Sequence, residues 1–329
     1  MLHRRPWLFG VRALRRAVML GWLLAALGFA GPVPAAQAPG SRAIDGTAVA
    51  FRCPRPGQPR EAIAVVATRL AGVPAVVRVP RPIAQAPIVL WHGFGAPASE
   101  HALMDALPLD DVPAVKVYLG LPLFGARAPA GGNRELARRQ ARDFAMQLFK
   151  PVVVGAADEL PAVVASLRRR GCLAAGQGIG LFGFSGGGAA ALVALLQRKV
   201  KVDTAVLVNA STGLNASVDA LQRALGTRYA WTPAARALAR QTDAPGHAAD
   251  IASGKPPLAL LIVQGEADNV LGAGAARALR DALLPWYRGS SAARLGYDAV
   301  AGMPHGWAGD PGNAATVRRL TADWFRRHP

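Results

Sequence analysis

The chain has 329 residues, of which 52% are hydrophobic, so it is long enough to bury one large core and form a single α/β domain. The net charge of +18 comes mainly from arginine, which outnumbers lysine 33 to 5, but the longest basic run is only 168–170. Because the basic residues are scattered and no aromatic side chains alternate with them, the sequence argues against a nucleic-acid-binding protein.

The two cysteines, Cys53 and Cys172, permit one disulfide in an oxidising compartment. The sequence leaves open whether they pair. Their spacing supplies no metal-binding pattern, and no segment requires a metal ion or an organic cofactor.

The first 35 residues have the pattern of a signal peptide. Five arginines lie before or beside an apolar stretch, 17–30, which is short for a membrane span and is followed by small residues and prolines. We expect cleavage near Ala35 and export to the periplasm or the exterior of a bacterial cell. Arginine pairs at 4–5 and 15–16 leave a twin-arginine signal open. An uncleaved anchor is the alternative, and only in that case does the sequence predict a membrane partner.

Residues 36–60 are rich in proline, glycine and alanine and predict an irregular lead-in to a domain over 61–329. Two apolar segments, 62–70 and 75–80, flank a short turn and predict a β-hairpin. Downstream, apolar runs alternate with helical patterns, which is typical of a parallel sheet covered by helices on both faces. The sequence therefore predicts an α/β fold with a mostly parallel sheet of about eight strands. The remaining strands are predicted at 87–91, 114–120, 178–184, 203–209, 257–265 and 294–300, and helices at 134–149, 157–170, 187–198, 273–286 and 314–327.

Ser185 lies where the strand 178–184 meets an alanine-rich helix, between Gly183 and Gly187 in the pattern Gly-x-Ser-x-Gly. Glycines weaken a helix start, so their number here indicates a turn too sharp for side chains. A strand, a sharp turn and a helix form the context of a nucleophile elbow, which exposes a serine hydroxyl. The alternative is a glycine-rich helix start with Ser185 as its N-cap. A Gly-x-Gly-x-x-Gly pattern begins at Gly178, but it opens the strand instead of following it, so no dinucleotide site is predicted.

A serine nucleophile needs a histidine base and a carboxylate that orients the base, and after an elbow these follow in the order serine, acid, histidine. Of the six histidines, His305 alone lies in a loop beyond the last strand and before the C-terminal helix. Asp268 and Glu266 both follow the strand 257–265. We favour Asp268, because its longer loop can curl back over the strand ends, and keep Glu266 as the alternative.

An oxyanion hole needs backbone N–H groups aimed at the negative charge of the tetrahedral intermediate. Gly186 follows the candidate nucleophile and supplies one N–H group. The second is expected from Phe94, in the loop "HGFG" after an earlier strand. His92 in the same loop is predicted to order the loop and to border the substrate pocket, not to act as a base.

Gly183–Gly187, "HGFG", "GEADNV" and "MPHGW" together resemble the α/β-hydrolase superfamily, with the look of its dienelactone-hydrolase-like and esterase branch, over about 60–327. The resemblance implies the α/β-hydrolase fold, with Ser185 as nucleophile, Asp268 as acid and His305 as base. Dienelactone hydrolases carry a cysteine nucleophile, from which Ser185 departs. The sequence thus predicts an exported serine hydrolase of small carboxylic esters, working through an acyl-enzyme. A peptidase of the same fold and a non-catalytic binding protein are the alternatives.

The segment 210–256 is too long to be a plain connection between two strands. It contains two amphipathic helical patterns, 217–226 and 232–241, with Tyr229 and Trp231 between them. An insertion at this position would lie above the carboxyl ends of the strands and form a small helical cap over the pocket. Tyr229 and Trp231 are therefore predicted to line the pocket, and the alternative is a pair of surface helices packed to one side.

Overall fold

In the computed structural model, residues 51–54 and 62–329 are described, and within them the chain forms eight β-strands. These are β1 (Ala64–Leu70), β2 (Val73–Val79), β3 (Ile88–Trp91), β4 (Lys116–Leu119), β5 (Ile179–Phe184), β6 (Val202–Val208), β7 (Ala259–Gly265) and β8 (Leu295–Val300). They lie in one sheet in the order β1-β2-β4-β3-β5-β6-β7-β8. The predicted hairpin is antiparallel and pairs through β2 with β4, and every pairing from β4 to β8 is parallel. The prediction of an α/β fold with a mostly parallel sheet is confirmed.

Within the described residues, one or more α-helices follow each strand from β3 onward. They are α1 (Glu100–Ala106), α2 (Gly132–Asp143), α3 (Gly155–Arg169), α4 (Gly186–Gln197), α5 (Leu214–Leu225), α6 (Pro233–Gln241), α7 (Ala248–Ile251), α8 (Ala273–Leu283) and α9 (Pro311–Arg327). Helix α1 was not predicted. It spans only seven residues, and the Ser99 side chain caps it by accepting the N–H of Ala102.

Neighbouring residues of the central strands point to opposite faces of the sheet, and both faces are buried. Leu181 belongs to a large core that includes side chains of α3, α4 and α8, whereas Phe182 belongs to a second core that includes side chains of α1 and α9. All residues of β3, β5 and β7 are buried. Strands buried on both faces explain why these segments are continuous apolar runs in the sequence.

A π-helix, Phe144–Val154, lies between α2 and α3, where the sequence predicted two separate helices with a gap between them. Asp143 has an extended backbone, with φ −165°, and its carboxylate accepts the N–H of Met146. Asp143 therefore ends one helix and caps the next. Pro151 lies inside the π-helix and has no N–H group to donate, which favours a departure from regular α-helical bonding.

Cys53 and Cys172 form a disulfide across 119 positions of sequence. It fastens the segment 51–54 beside the end of α3, where the N–H of Cys53 also donates to the carbonyl of Arg170. The predicted signal peptide, 1–35, lies outside the described residues, as does the predicted lead-in 36–60 except for 51–54. Within the described part of the chain, no helix is both long enough and apolar enough to cross a membrane.

Candidate active site

Ser185 lies at the sharp turn between β5 and α4, at the carboxyl edge of the sheet. Its backbone has φ +54° and ψ −119°, a conformation that residues other than glycine seldom adopt. A Cβ atom at Gly183 would lie 2.5 Å from the carbonyl oxygen of Gly187, and one at Gly187 would lie 2.3 Å from that of His92. Only glycine fits these two positions, so the close packing of this turn explains the pattern Gly-x-Ser-x-Gly.

The side chains of Ser185, His305 and Asp268 form one hydrogen-bonded chain. His305 Nε2 lies 2.9 Å from Ser185 Oγ, and His305 Nδ1 lies 2.9 Å from Asp268 Oδ2. His305 and Asp268 are buried, at 8% and 6% exposure, so water competes little for these bonds. The structure thus brings together the three residues that the sequence selected, from three loops at the same edge of the sheet.

Both carboxylate oxygens of Asp268 accept hydrogen bonds, one from the loop after β7 and the other from β7 itself. Oδ1 accepts the N–H groups of Val270 and Leu271 at 2.9 and 3.0 Å, and Oδ2 lies 3.3 Å from Gln264 Nε2. Burial acts to raise the pKa of the Asp268 carboxyl, but the hydrogen bond with His305 and those from the two backbone N–H groups outweigh it and hold the pKa below its usual value. The alternative acid, Glu266, is exposed, and its side chain does not contact His305 by a hydrogen bond.

Asn209, which no sequence motif indicates, connects the loops that carry the acid and the histidine. Its side chain is fully buried at the end of β6, with Nδ2 donating to the carbonyls of Pro304 and His305, both at 3.0 Å. Its Oδ1 accepts the N–H of Gly265 at 2.7 Å. A polar residue directly after an apolar parallel strand was the available signal, since such positions lie at the edge of the sheet where sites form.

The two backbone N–H groups predicted to form the oxyanion hole, those of Phe94 and Gly186, both lack an intramolecular acceptor in the described ranges. The two residues are in contact, because a Cβ atom at Gly186 would lie 2.4 Å from the ring of Phe94. That ring stacks on Phe124 at 5.0 Å between centroids. The two N–H groups therefore belong to segments that pack directly against each other beside Ser185.

His92 holds the oxyanion loop from inside the protein. Its ring is fully buried, with Nδ1 2.7 Å from the carbonyl of Gly93 and Nε2 accepting the N–H of Leu121 at 3.2 Å. Burial lowers the pKa of His92 to about 4, although the bond to Gly93 opposes the shift. A neutral ring with both nitrogens engaged orders the loop, as expected, but His92 does not line the cavity beside Ser185, which corrects the prediction that it borders the pocket.

A cavity of about 280 Å³ opens beside Ser185 and is bounded largely by apolar side chains. Helix α5, the first helix of the segment 210–256, supplies one wall of it. The predicted cap therefore borders the site through this helix, whereas α6 packs its residues Ala235, Leu238 and Ala239 into the core. The apolar lining includes Phe94, Phe144, Ala220, Leu221, Ala224 and Leu271.

Tyr229 and Trp231 do not line this cavity, which corrects the prediction made for them. The hydroxyl of Tyr229 donates to Asp143 Oδ1 at 2.6 Å, and Trp231 packs edge-on against the Tyr229 ring at 5.1 Å. Asp143 draws Tyr229 toward the junction of α2 with the π-helix and away from the opening. The two aromatic side chains thus fasten the connection between α5 and α6 to the core.

Metal-ligating side chains do not cluster in the described part of the chain: no group of three or more His, Cys, Asp or Glu residues there is arranged to hold an ion.

The fold of the chain is similar to that of several solved structures, although its sequence matches no protein-family model and no curated protein. It is similar to TT1662 from Thermus thermophilus, with a TM-score of 0.59 and 18% identity over 80% of this chain and 98% of that one. It is similar to a puromycin-hydrolyzing peptidase from Mycobacterium tuberculosis, with a TM-score of 0.58 and 17% identity over 82% of this chain and 40% of that one. It is also similar to carboxyl esterase 2 from Tuber melanosporum, with a TM-score of 0.52 and 16% identity over 95% of this chain and 98% of that one.

The fold is therefore the α/β-hydrolase fold, as the sequence resemblance implied. The dienelactone-hydrolase-like branch is not singled out among these neighbours. At identities of 16–18% the similarity extends to the fold, and activity has to be argued from the site itself.

Proposed function

We propose that the protein is an exported serine hydrolase that cleaves small carboxylic esters through an acyl-enzyme on Ser185. The observation that carries this proposal is the continuous hydrogen-bonded chain from Ser185 Oγ through His305 to Asp268, with Ser185 in a strained backbone conformation. A serine held in this way has a base within reach of its proton, and the base has a carboxylate to orient it.

The hydrogen-bond partners of His305 determine which of its ring nitrogens carries the proton. Asp268 is ionised, because its pKa is held low, so its Oδ2 only accepts and the neutral imidazole carries its proton on Nδ1. The lone pair on Nε2 then faces Ser185 Oγ and accepts the hydroxyl proton as the oxygen attacks the ester carbonyl. The imidazolium that forms is stabilised by Asp268 and later returns the proton to the leaving alkoxide, which departs as the alcohol.

The N–H groups of Phe94 and Gly186 are proposed to bind the oxyanion of the tetrahedral intermediate. Both are without an acceptor within the described ranges, and their segments are in contact, so neither has to rearrange when charge develops. Water then enters and is deprotonated by His305 as it attacks the acyl carbon. His305 returns this proton to Ser185 Oγ as the bond from Ser185 to the acyl carbon breaks and the acid is released.

The cavity supports esters as the substrates and limits their size. Its 280 Å³ is close to the lower end of the range for small-molecule pockets, about 300–1,000 Å³. Its apolar walls suit a short acyl or alkyl chain. The similarity in fold to carboxyl esterase 2 is consistent with this proposal, and the similarity to a peptidase keeps amide substrates as the second candidate.

The proposal is tested by hydrolysis and by labelling. Wild type should hydrolyse short p-nitrophenyl esters and react with an organophosphonate probe, and Ser185→Ala should lose both while keeping its fold by circular dichroism. Ser253→Ala, which alters an exposed serine remote from the site, is the matched control and should behave as wild type. Full labelling of Ser185→Ala removes this serine from the mechanism.

The same assay separates the alternatives. A panel that pairs each p-nitrophenyl ester with the matching p-nitroanilide, and adds aminoacyl nitroanilides, compares ester with amide turnover. Preference for the anilides would assign a peptidase instead. Absence of turnover and of labelling in folded wild-type protein would assign a non-catalytic binding protein.

Export is part of the proposal and rests on separate observations. The N-terminal pattern is that of a signal peptide, and the Cys53–Cys172 bond suits an oxidising compartment, since cytosolic thiols are kept reduced. Expression of the full chain in a bacterium followed by N-terminal sequencing of the periplasmic fraction should give Ala36 as the first residue. Full-length protein retained in the membrane fraction would instead assign an uncleaved anchor.

A further inference from the structure

Besides that of Ser185, two hydroxyl groups lie in the wall of the cavity, in a lining that is otherwise mostly apolar. Ser211 is buried just after β6, and its backbone N–H donates to the carbonyl of Ser185 at 3.1 Å, which places it next to the candidate nucleophile. Ser217 lies on α5, and its Oγ is 2.7 Å from that of Ser211. This pair is not used in the mechanism proposed above.

The direction of the bond between the two hydroxyls follows from their surroundings. Ser211 Oγ donates its single proton to the carbonyl of Gly213 at 2.9 Å. It therefore has no proton left for Ser217, and Ser217 must be the donor of the bond between them. No N–H group in the described ranges donates to Ser217 Oγ. Ser217 thus offers the cavity only acceptor lone pairs.

An acceptor of this kind selects for a donor on the ligand. Of the other lining residues on the same helix, Ala220, Leu221 and Ala224 are apolar, and the Arg223 guanidinium donates to the carbonyls of Val270 and Leu271. A plain alkyl chain in the cavity would displace water from Ser217 Oγ without replacing its hydrogen bond, whereas a hydroxyl-bearing chain of similar size would pair with it.

We infer that the preferred substrates are hydroxyl-bearing esters, whose acyl or alcohol chain donates a hydrogen bond to Ser217 Oγ. This inference rests on the proposed ester hydrolase and assigns Ser217 as its specificity-determining residue. Gln140 and Asn269 also line the cavity, but their amide groups both donate and accept and so do not discriminate.

The test compares matched substrates that differ by one hydroxyl. p-Nitrophenyl 3-hydroxybutanoate and 6-hydroxyhexanoate are paired with the butanoate and hexanoate, and 2-hydroxyethyl butanoate is paired with propyl butanoate to examine the alcohol side. In at least one pair wild type should favour the hydroxylated ester in kcat/KM, and Ser217→Ala should lose about three- to tenfold of that preference, the size of one neutral hydrogen bond.

Two controls guard the interpretation. Ser217→Thr keeps the hydroxyl and should keep the preference, and Ser253→Ala should change neither substrate of a pair. Alanine is a good helix former, so Ser217→Ala is expected to preserve α5. Equal kcat/KM values within every pair, or the same preference in wild type and Ser217→Ala, would overturn the assignment of Ser217.

A binding measurement decides the inference even if no ester is hydrolysed. Methyl 3-hydroxybutanoate and methyl butanoate are titrated into Ser185→Ala and into Ser185→Ala/Ser217→Ala and followed by ligand-detected NMR. Tighter binding of the hydroxylated ester that is lost in the double variant supports Ser217 as the acceptor, whether or not the protein is an esterase. Equal binding of both esters to Ser185→Ala contradicts it.

Discussion

At the scale of single residues, Asn209 carries three hydrogen bonds that hold the histidine loop to the end of β7. Asn209→Ala removes all three and should lower kcat about 100-fold, because displacing a catalytic group by about 1 Å costs on that order. KM should change little, since Asn209 does not line the cavity. Steady-state kinetics on p-nitrophenyl butanoate separates the two constants.

Asn209→Asp distinguishes positioning from a loss of folding. It preserves side-chain size and the acceptor for Gly265, but its carboxylate meets two carbonyl oxygens where the amide donated. Protonation of this carboxyl would restore one donor. The ratio of variant to wild-type kcat should therefore rise as the pH is lowered from about 8 to about 5. Asn215→Ala, at an exposed position on α5, is the matched control. A ratio that does not vary with pH would argue that Asn209 only stabilises the fold.

His92 makes the stability of the protein depend on pH. Its pKa is about 4 in the folded state and about 6.5 when unfolded, so between these values the unfolded state binds more protons. The contribution of the neutral ring is present above about pH 6.5 and is lost as the pH falls toward about 4. In that window the one extra proton bound by the unfolded state lowers the free energy of unfolding by at most about 1.4 kcal/mol for each pH unit that the pH falls.

His92→Gln should therefore flatten the pH dependence of the unfolding free energy below about pH 6.5. Glutamine has no group that titrates in this range, and it can still accept the N–H of Leu121. Urea denaturation at several pH values measures both slopes, and the difference between wild type and variant isolates His92 from the carboxylates. Parallel slopes in the two proteins would mean that His92 takes up its proton at a similar pH in the folded and unfolded states.

Some residues of the candidate site could be predicted from the sequence and others could not. Ser185, Asp268 and His305 could be selected because the chain order of an elbow serine, its acid and its base is fixed, and few histidines compete. Asn209 could not, because its role depends on two loops far away in sequence that meet it only in the folded protein. Buried amides of this kind are recognised by their hydrogen bonds and not by a motif.

Among the helices and connections, α5 borders the cavity, as expected of a cap, but the connection after it does not. Aromatic residues between two amphipathic helices favoured a pocket lined by Tyr229 and Trp231. The backbone of Asp143 is extended, however, and its carboxylate is available to the Tyr229 hydroxyl, which draws the connection toward the π-helix. The irregular helix junction that creates this acceptor has no simple signature in the sequence.

Leu221→Phe tests α5 as the wall that limits chain length. Leucine lines the cavity, and the larger ring should shorten the space available to an acyl chain. We expect the ratio of kcat/KM for p-nitrophenyl hexanoate to that for the acetate to fall, by about fourfold for each methylene no longer accommodated. A series of p-nitrophenyl esters from acetate to octanoate measures this ratio.

Trp231→Ala is the control for that prediction. It removes the contact with the Tyr229 ring and that with the Arg236 guanidinium, 5.9 Å from the indole, and should lower the melting temperature. It should leave the chain-length ratio unchanged, because Trp231 lies outside the cavity. If the ratio shifts in Trp231→Ala and not in Leu221→Phe, the connection and not α5 borders the substrate.

At the scale of the whole molecule, the sheet could be predicted closely because its central strands are buried on both faces. Each is a continuous apolar run, so the predicted strand 178–184 differs from β5 by a single residue. Helix α1 was missed because seven residues are too few to establish a helical period. The π-helix was missed because hydrophobic spacing does not distinguish a π-turn around Pro151 from an interrupted α-helix.

The Cys53–Cys172 disulfide closes a loop of over a hundred residues that contains the hairpin and β3, and it lies at the amino end of β5, opposite Ser185. By the chain-entropy model, a disulfide that closes a loop of this size stabilises the folded state by about 4 to 5 kcal/mol relative to the unfolded chain. Cys53→Ala/Cys172→Ala should therefore unfold at much lower urea concentration while its ester kcat stays near wild type. Dithiothreitol should destabilise wild type to the level of the double variant and leave the variant unchanged. A reductant effect of equal size on both proteins would show that the bond does not carry this stability.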